Sequence, residues 1–386
     1  MNTLHLALAA SVVVGSVYAI YALDPATLPL AGATAGNPSS MVPALVADSA
    51  NPYRWADLAE TCAREGQMDK ARYAFQRALA LSRDIPPILL RDANFHFQFD
   101  ESDRALSSAA RVLSIVPDYD SVLFNYFDRF VAGPKPVLAA IGDSARATTA
   151  YTLHLIGTGD LAGARLAWLK LCSRGVKDNS LTATYIDALL KAGHGDAAKQ
   201  DWVQFLGPSA ADYPASNLLY NGGFEAEPTG VALDWRIQPS TQYDVERDSA
   251  MPHRGKYSLR VTFHGDDNIA LTNVLQTVLL KPGTYRLGFW IKTDGLTTNE
   301  GPRVEVVAAR LQDRLLRTDP FLGTIGWSEV SQRFTVDRQT QSVIVRLVRN
   351  PSAKFDNKIA GTLWIDDLHL VTERAVLQNT RNPLFD

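Results

Sequence analysis

Asn217-Leu-Leu-Tyr-Asn-Gly-Gly-Phe-Glu225 marks the place where the hydrophobic spacing of this chain changes. Upstream, apolar residues recur with a helical period. Downstream, short alternating runs replace it: Ser258 to Phe263, Thr272 to Leu280, Thr284 to Ile291, Val304 to Ala309, Val330 to Val336, Val343 to Val348 and Leu363 to Leu370. Alternation sends successive side chains to opposite faces of a strand, so each run reads as a strand with one buried face. Asp294-Gly295, Asn299-Glu-Gly301 and Asn350-Pro351 punctuate the runs. Many short strands separated by turn residues predict a β-sandwich.

The opening stretch is also the first of five pieces in a fixed order. It is followed by Gly255-Lys-Tyr-Ser-Leu-Arg-Val261, Lys281-Pro-Gly-Thr-Tyr-Arg-Leu-Gly-Phe-Trp-Ile-Lys292, Trp327 and Trp364-Ile-Asp-Asp-Leu-His-Leu370. The set resembles the carbohydrate-binding module of family 4/9 type, a β-jelly roll of the galactose-binding-like group, and assigns residues 217–373 to such a module. The resemblance implies a binding module rather than a catalytic core. It implies a structural Ca2+ where the first strand meets the last, with Glu225 and Asp366 supplying carboxylates and the backbone around Lys256 supplying carbonyls. Calcium is a hard cation that takes such oxygens. Read without the resemblance, Glu225 and Asp366 are a strand-end Glu and a turn Asp that face water. Phe224, Trp235, Tyr285, Phe289 and Trp327 match positions that fill the core in the family.

Within Thr284 to Ile291, Tyr285, Leu287, Phe289 and Ile291 share one face, and Arg286, Gly288 and Trp290 share the other. Arg286 and Trp290 are therefore the candidate ligand contacts: an indole stacks on the C–H face of a sugar, and guanidinium donors reach hydroxyls. A solvated outer face with one stray Trp is the competing reading.

Before the linker at 207–216, residues 52–206 read as a helical repeat array. Trp55, Leu58, Ala59, Cys62, Gly66, Ala71, Phe75, Ala78 and Leu79 match the tetratricopeptide pattern of two packed helices with a Gly turn. The small residues let the helices approach closely. A step of 34 carries Ala59 to Ala93, Ala71 to Ala105, Gly159 to Gly193 and Ala164 to Ala198. Further copies take in Tyr151, Leu155, Trp168 and Leu171, then Tyr185, Leu189 and Trp202. Residues 120–144 break the period. They are expected to be an irregular insert holding one helix, ended by Gly133-Pro-Lys-Pro136. About four hairpins would stack into a curved solenoid whose groove binds a partner protein or peptide. The alternative is a spacer. The fold class is thus multidomain: an α-helical tetratricopeptide-like solenoid followed by a β-sandwich jelly roll.

At the N-terminus, Leu4 to Leu23 is apolar and lacks Asp, Glu, Lys and Arg. Twenty residues suffice to span a bilayer. No basic residue precedes the run, which favours an uncleaved membrane anchor at 1–23 over a cleaved signal peptide. Residues 24–51, rich in Pro, Ala, Gly and Ser, read as a flexible linker. Residues 374–386 are a C-terminal tail. The expected location is the bacterial cell envelope, anchored in the inner membrane with the body outside the cytoplasm. Secretion after signal cleavage is the alternative.

The chain of 386 residues carries a net charge of −3 and no cluster of Lys and Arg along the sequence, which argues against nucleic acid as a partner. Its two cysteines, Cys62 and Cys172, fall at apolar helical positions and read as buried free thiols, with a disulfide as the alternative. Gly142-Asp-Ser144 with Asp366 and His369 resembles the blocks of a lipase-like hydrolase, but no strand precedes Ser144. The expected function is a non-enzymatic, envelope-anchored adaptor. Its repeats bind a protein and its jelly roll binds glycan, in extracellular polysaccharide assembly or export. The alternatives are a jelly roll without sugar affinity and a hydrolase using Ser144.

Overall fold

The computed structural model describes residues 38–355 and 357–373, and among them eleven α-helices precede two five-stranded antiparallel sheets. The apolar run Leu4 to Leu23, residues 24–37 of the expected linker and the tail from 374 lie outside the described residues. Among the described residues, no helix is long and apolar enough to cross a membrane.

The helices are α1 (Pro38–Ala47), α2 (Pro52–Arg64), α3 (Met68–Leu81), α4 (Pro86–Gln98), α5 (Ser102–Ile115), α6 (Asp120–Phe130), α7 (Pro134–Ile141), α8 (Ala145–Thr158), α9 (Leu161–Ser173), α10 (Asn179–Lys191) and α11 (Gly195–Leu206). α1 corrects part of the expected extended linker. Pro38 sits in the first turn, where no backbone N–H is required, and the Met41–Ala47 run continues the helix.

Helix starts repeat every 34 residues, from Pro52 to Pro86 to Asp120 and again from Ala145 to Asn179. The small residues read as close-approach points are buried: Ala59, Ala71, Ala78, Ala93, Ala105, Ala164 and Ala198 are all fully buried. Cys62 packs among them with Phe75 and Phe95. The hairpin turns need a left-handed residue, supplied by Gly66, Gly159 and Gly193 and, one period after Gly66, by Asp100 at φ 58°.

The 120–144 segment is more regular than expected. Asp120 keeps the 34-residue phase, and Gly133-Pro134 both ends α6 and starts α7, because Pro is favoured at the first helical position. The segment holds two helices rather than one, and the short second helix packs on α5. Ser144 caps α8: its hydroxyl accepts the Ala147 N–H at 3.3 Å.

The chain divides after His154 into two compact units. The division does not fall at 207–216. In the second unit, α10 and α11 touch the chain that follows them: Trp202 on α11 meets Tyr220 edge-on at 6.0 Å, Tyr213 meets the same Tyr220 at 5.8 Å, and Asp187 on α10 pairs with Arg236 on β1. A fully buried Asp201 joins α9 to α10 and α11, receiving hydrogen bonds from Arg165 and from the Tyr185 hydroxyl.

The strands are β1 (Arg236–Ile237), β2 (Tyr243–Asp248), β3 (Ser258–His264), β4 (Leu271–Leu279), β5 (Gly283–Leu296), β6 (Arg303–Ala308), β7 (Arg314–Arg317), β8 (Gly323–Val336), β9 (Ser342–Arg349) and β10 (Ala360–Thr372). They form one sheet in the order β1-β4-β9-β6-β7 and another in the order β2-β3-β10-β5-β8. The inner faces share a core that includes Phe224, Trp235, Tyr285, Leu287, Phe289, Ile291, Val345 and Leu370. Burying a side chain of this size contributes about 1.5–3 kcal/mol. Trp327 is a correction. Ser328 pairs with Ile291, so Trp327 takes the outward alternate position, and it is only half-buried.

Candidate functional site

Both ends of the β-module meet at one place. Asn217 Oδ1 accepts the Leu370 N–H at 2.9 Å, and Asn217 Nδ2 donates to the Leu368 carbonyl at 3.0 Å. The first motif is thus stitched to the last strand. Gly222 is required there, since a Cβ would stand 1.9 Å from the Leu368 carbonyl oxygen. The loop between β2 and β3 then folds over the outer side of β10 and β5. It is held by two carboxylates. Glu225 Oε1 accepts the Lys256 N–H at 2.8 Å and the Tyr257 N–H at 3.2 Å. Asp366 Oδ2 accepts the His253 N–H at 2.8 Å and the Arg254 N–H at 3.2 Å.

Asp366 is fully buried by this roof. Burial pushes its carboxyl up to about 6, against the pull of the three backbone N–H groups, with the nearby Asp367 charge adding to the rise. A Cβ on Gly223 would lie 3.7 Å from Asp366 Oδ1 and 3.8 Å from Glu225 Cγ, so the two acids named for calcium flank the same glycine. Lys256, however, turns its N–H rather than its carbonyl toward Glu225. Among the described residues no group of three or more His, Cys, Asp or Glu side chains is placed to hold a metal ion. Two carboxylates suit calcium, but the loop backbone beside them presents N–H groups, so the remaining oxygen ligands would have to come from other carbonyls and water.

Asp366, Trp290 and Glu329 form one row across β10, β5 and β8. The next row is His369, Gly288 and Ser331. Gly288 gives the His369 ring its place, since a Cβ would lie 2.3 Å from it. Trp290 is stacked on one side by His253, with centroids 3.9 Å apart and planes 13° from parallel. Trp327 stands 5.5 Å from the same imidazole. His253 is fixed by a 2.6 Å hydrogen bond between Nδ1 and Asp367 Oδ2.

Beside this cluster opens a cavity of about 570 Å³. Trp290, Glu329, Arg254, Asp367 and His369 line one part, and Asn217, Asn221, Glu225 and Asp212 another. Its size lies within the range of small-ligand sites, and its lining combines one indole with carboxylates, amides and a guanidinium. Trp290 thus falls where its spacing placed it. Arg286 does not reach the cavity. It pairs with Glu373, which also takes Arg333 at 2.7 Å, and donates to Ser331 at 3.4 Å. Sequence reasoning missed His253, Arg254 and Glu329. The first two are loop residues, and Glu329 enters only through cross-strand register.

Ser144 belongs to the first unit, while Asp366 and His369 belong to the second. Cys62 and Cys172 are both free, and burial raises the Cys172 thiol to about 11.

Residues 216–354 match the family model described as a carbohydrate binding domain. Among solved structures, the module TmCBM61 in complex with β-1,4-galactotriose is 21% identical, covering 41% of this chain and 100% of that one at a TM-score of 0.29. A family 16 carbohydrate-binding module is 22% identical, covering 40% and 99% at a TM-score of 0.28. The CBM22-1 xylan-binding domain of Paenibacillus barcinonensis Xyn10C is 15% identical, covering 40% and 93% at a TM-score of 0.26. No curated protein matches this chain.

Proposed function

We propose that this protein is a non-enzymatic adaptor of the cell envelope whose β-module binds glycan in the cavity beside Trp290. The observation that carries the reading is the indole edge of that cavity, set among Glu329, Arg254, Asp367 and His369, on a module that matches a carbohydrate-binding family model. Sugars are bound by such pairings of an aromatic face with polar side chains that reach hydroxyls. With one face of Trp290 covered by His253, the ligand takes the other face or the indole edge. A glycan panel on the purified chain tests this. Binding that Trp290→Ala removes supports the reading, and the absence of any bound glycan sinks it.

The helical repeats, read as tetratricopeptide-like, bind a partner protein or peptide, and Leu4 to Leu23 holds the chain in the membrane. Together these suit a role in extracellular polysaccharide assembly or export. Fractionation of cells would place the full chain with membranes, and a freely secreted chain would remove the anchor.

A structural calcium held by Glu225 and Asp366, with carbonyls of the loop around Lys256 turned toward it on binding, completes the reading. The ion would clamp the first motif to the last strand and neutralise the buried Asp366. Unchanged melting in chelator, with no calcium found by elemental analysis, would leave the N–H groups as the only clamp.

A second reading, a jelly roll without sugar affinity, draws on Arg286, whose guanidinium is already engaged by Glu373.

A further inference from the structure

The outer face of the other sheet has a different chemistry. One row of cross-strand neighbours runs across all five strands: Arg236 on β1, Leu275 on β4, Arg346 on β9, Glu305 on β6 and Arg317 on β7. Their chain neighbours Ile237, Val274, Val345, Leu347, Val304, Val306 and Leu316 point into the core, so the row faces outward. Arg314, at the start of β7, joins it.

Three guanidinium groups share the carboxylate of Glu305. Arg346 lies 2.9 Å from it, Arg317 3.1 Å and Arg314 3.9 Å. The Glu305 side chain is 8% exposed, while those of Arg346, Arg317 and Arg314 are 27%, 25% and 55% exposed. One anion cannot neutralise three cations, so this cluster holds a surplus of two positive charges in a chain whose net charge is −3. The hydrogen bonding is incomplete as well. Arg317 Nε is buried and has no hydrogen-bond acceptor, because its N–H is not aimed at the nearby Glu305 oxygen.

We propose that this face binds an acidic polysaccharide, with its carboxylate groups set against Arg346 on β9 and against Arg314 and Arg317 on β7. This rests on the glycan-binding reading of the module but assigns a second face and a ligand class. Arginine matches carboxylates through its planar fork of donors. The row supplies such donors from every other strand, about 10 Å apart at a strand spacing of about 4.8 Å, so a chain laid across the strands meets a guanidinium at every second strand. No aromatic residue lies in the row, so charge rather than ring stacking selects the ligand.

The test measures binding of the full chain to polygalacturonate, to a neutral β-galactan and to an acidic polypeptide, at low and high salt. We expect polygalacturonate to bind and to weaken as salt rises. Arg314→Ala, at the most exposed of the three sites, is expected to weaken it roughly fivefold to tenfold and to leave the neutral glycan unaffected. Arg314→Lys is expected to restore part of the loss. Trp290→Ala has the opposite pattern, removing the neutral glycan alone. Polygalacturonate that fails to bind, or that is insensitive to Arg314→Ala and to Arg317→Ala, overturns the proposal while leaving the Trp290 cavity untouched. Equal binding of the acidic polypeptide at the same salt overturns it as well, by making the face a general polyanion surface.

Discussion

The two outer faces of the sandwich follow the same alternation and come out chemically opposed. On the β2-β3-β10-β5-β8 sheet, charges are matched: Arg286 and Arg333 meet Glu373, Arg260 meets Glu246 and Asp248, and the Trp364 indole donates to Asp248 at 2.8 Å. A loop roofs part of that face and creates a cavity. On the β1-β4-β9-β6-β7 sheet, three arginines crowd one glutamate. Strand period decides which residues point outward, but neighbouring strands and overlying loops decide what those residues can do.

The sharpest test exchanges a carboxylate on each face. Glu305→Gln leaves Arg314, Arg317 and Arg346 without their shared anion. Breaking such a part-buried cluster is expected to destabilise the second unit by about 3–5 kcal/mol. Glu329→Gln, at an exposed position on the other face, is expected to stay within about 0.5 kcal/mol. Chemical denaturation of both variants measures this, and equal losses would end the contrast drawn between the faces.

Asp366 offers the next largest effect. Its folded pKa is raised from 3.8 to about 6 by burial. A raised pKa means that stability is greatest with the group protonated, below about 4, and is lost as pH rises through about 6. The expected loss is about 2–3 kcal/mol, and Asp366→Asn should flatten the profile. Calcium, if held there, should reverse the trend by favouring the ionised carboxylate. A melting profile in chelator between pH 4 and 7 that matches the Asn variant would show that Asp366 is not responsible.

Trp290→Ala is expected to weaken glycan binding by about 2 kcal/mol or more, with stability falling by less than the Glu305 variant. Calorimetric titration beside a melting curve separates the two effects. Binding that survives the change would move the glycan away from this cavity.

The smallest effect lies in the helical repeats. Asp100 occupies the left-handed turn position that Gly66 fills one period earlier. Asp100→Gly relieves that strain and is expected to stabilise by about 0.5–1 kcal/mol. A loss of stability would mean that the Asp side chain holds the turn.

Much of the fold was legible because it is periodic. The 34-residue step placed Ala59, Ala93 and Ala105 in helix interfaces, and the period of two placed Tyr285 and Phe289 inward and Trp290 outward. The failures were local. Pro38 starts a helix where composition suggested a tether. Gly133-Pro134 starts a helix as well as ending one. Trp327 faces outward although the family resemblance put it in the core.

The sequence alone determined the elements and which face of each is buried, because burial of apolar surface enforces the periods of 3.6 and 2. It showed Arg314 and Arg317 three residues apart, but Arg236 and Arg346 lie far from them along the chain. Only strand order and register brought them into one patch, and only the folded loop at 253–257 set His253 against Trp290 and buried Asp366. Those contacts join residues far apart along the chain. Their identity is written in the sequence, but their proximity is fixed by hydrogen-bond pairing between strands, which no local pattern specifies.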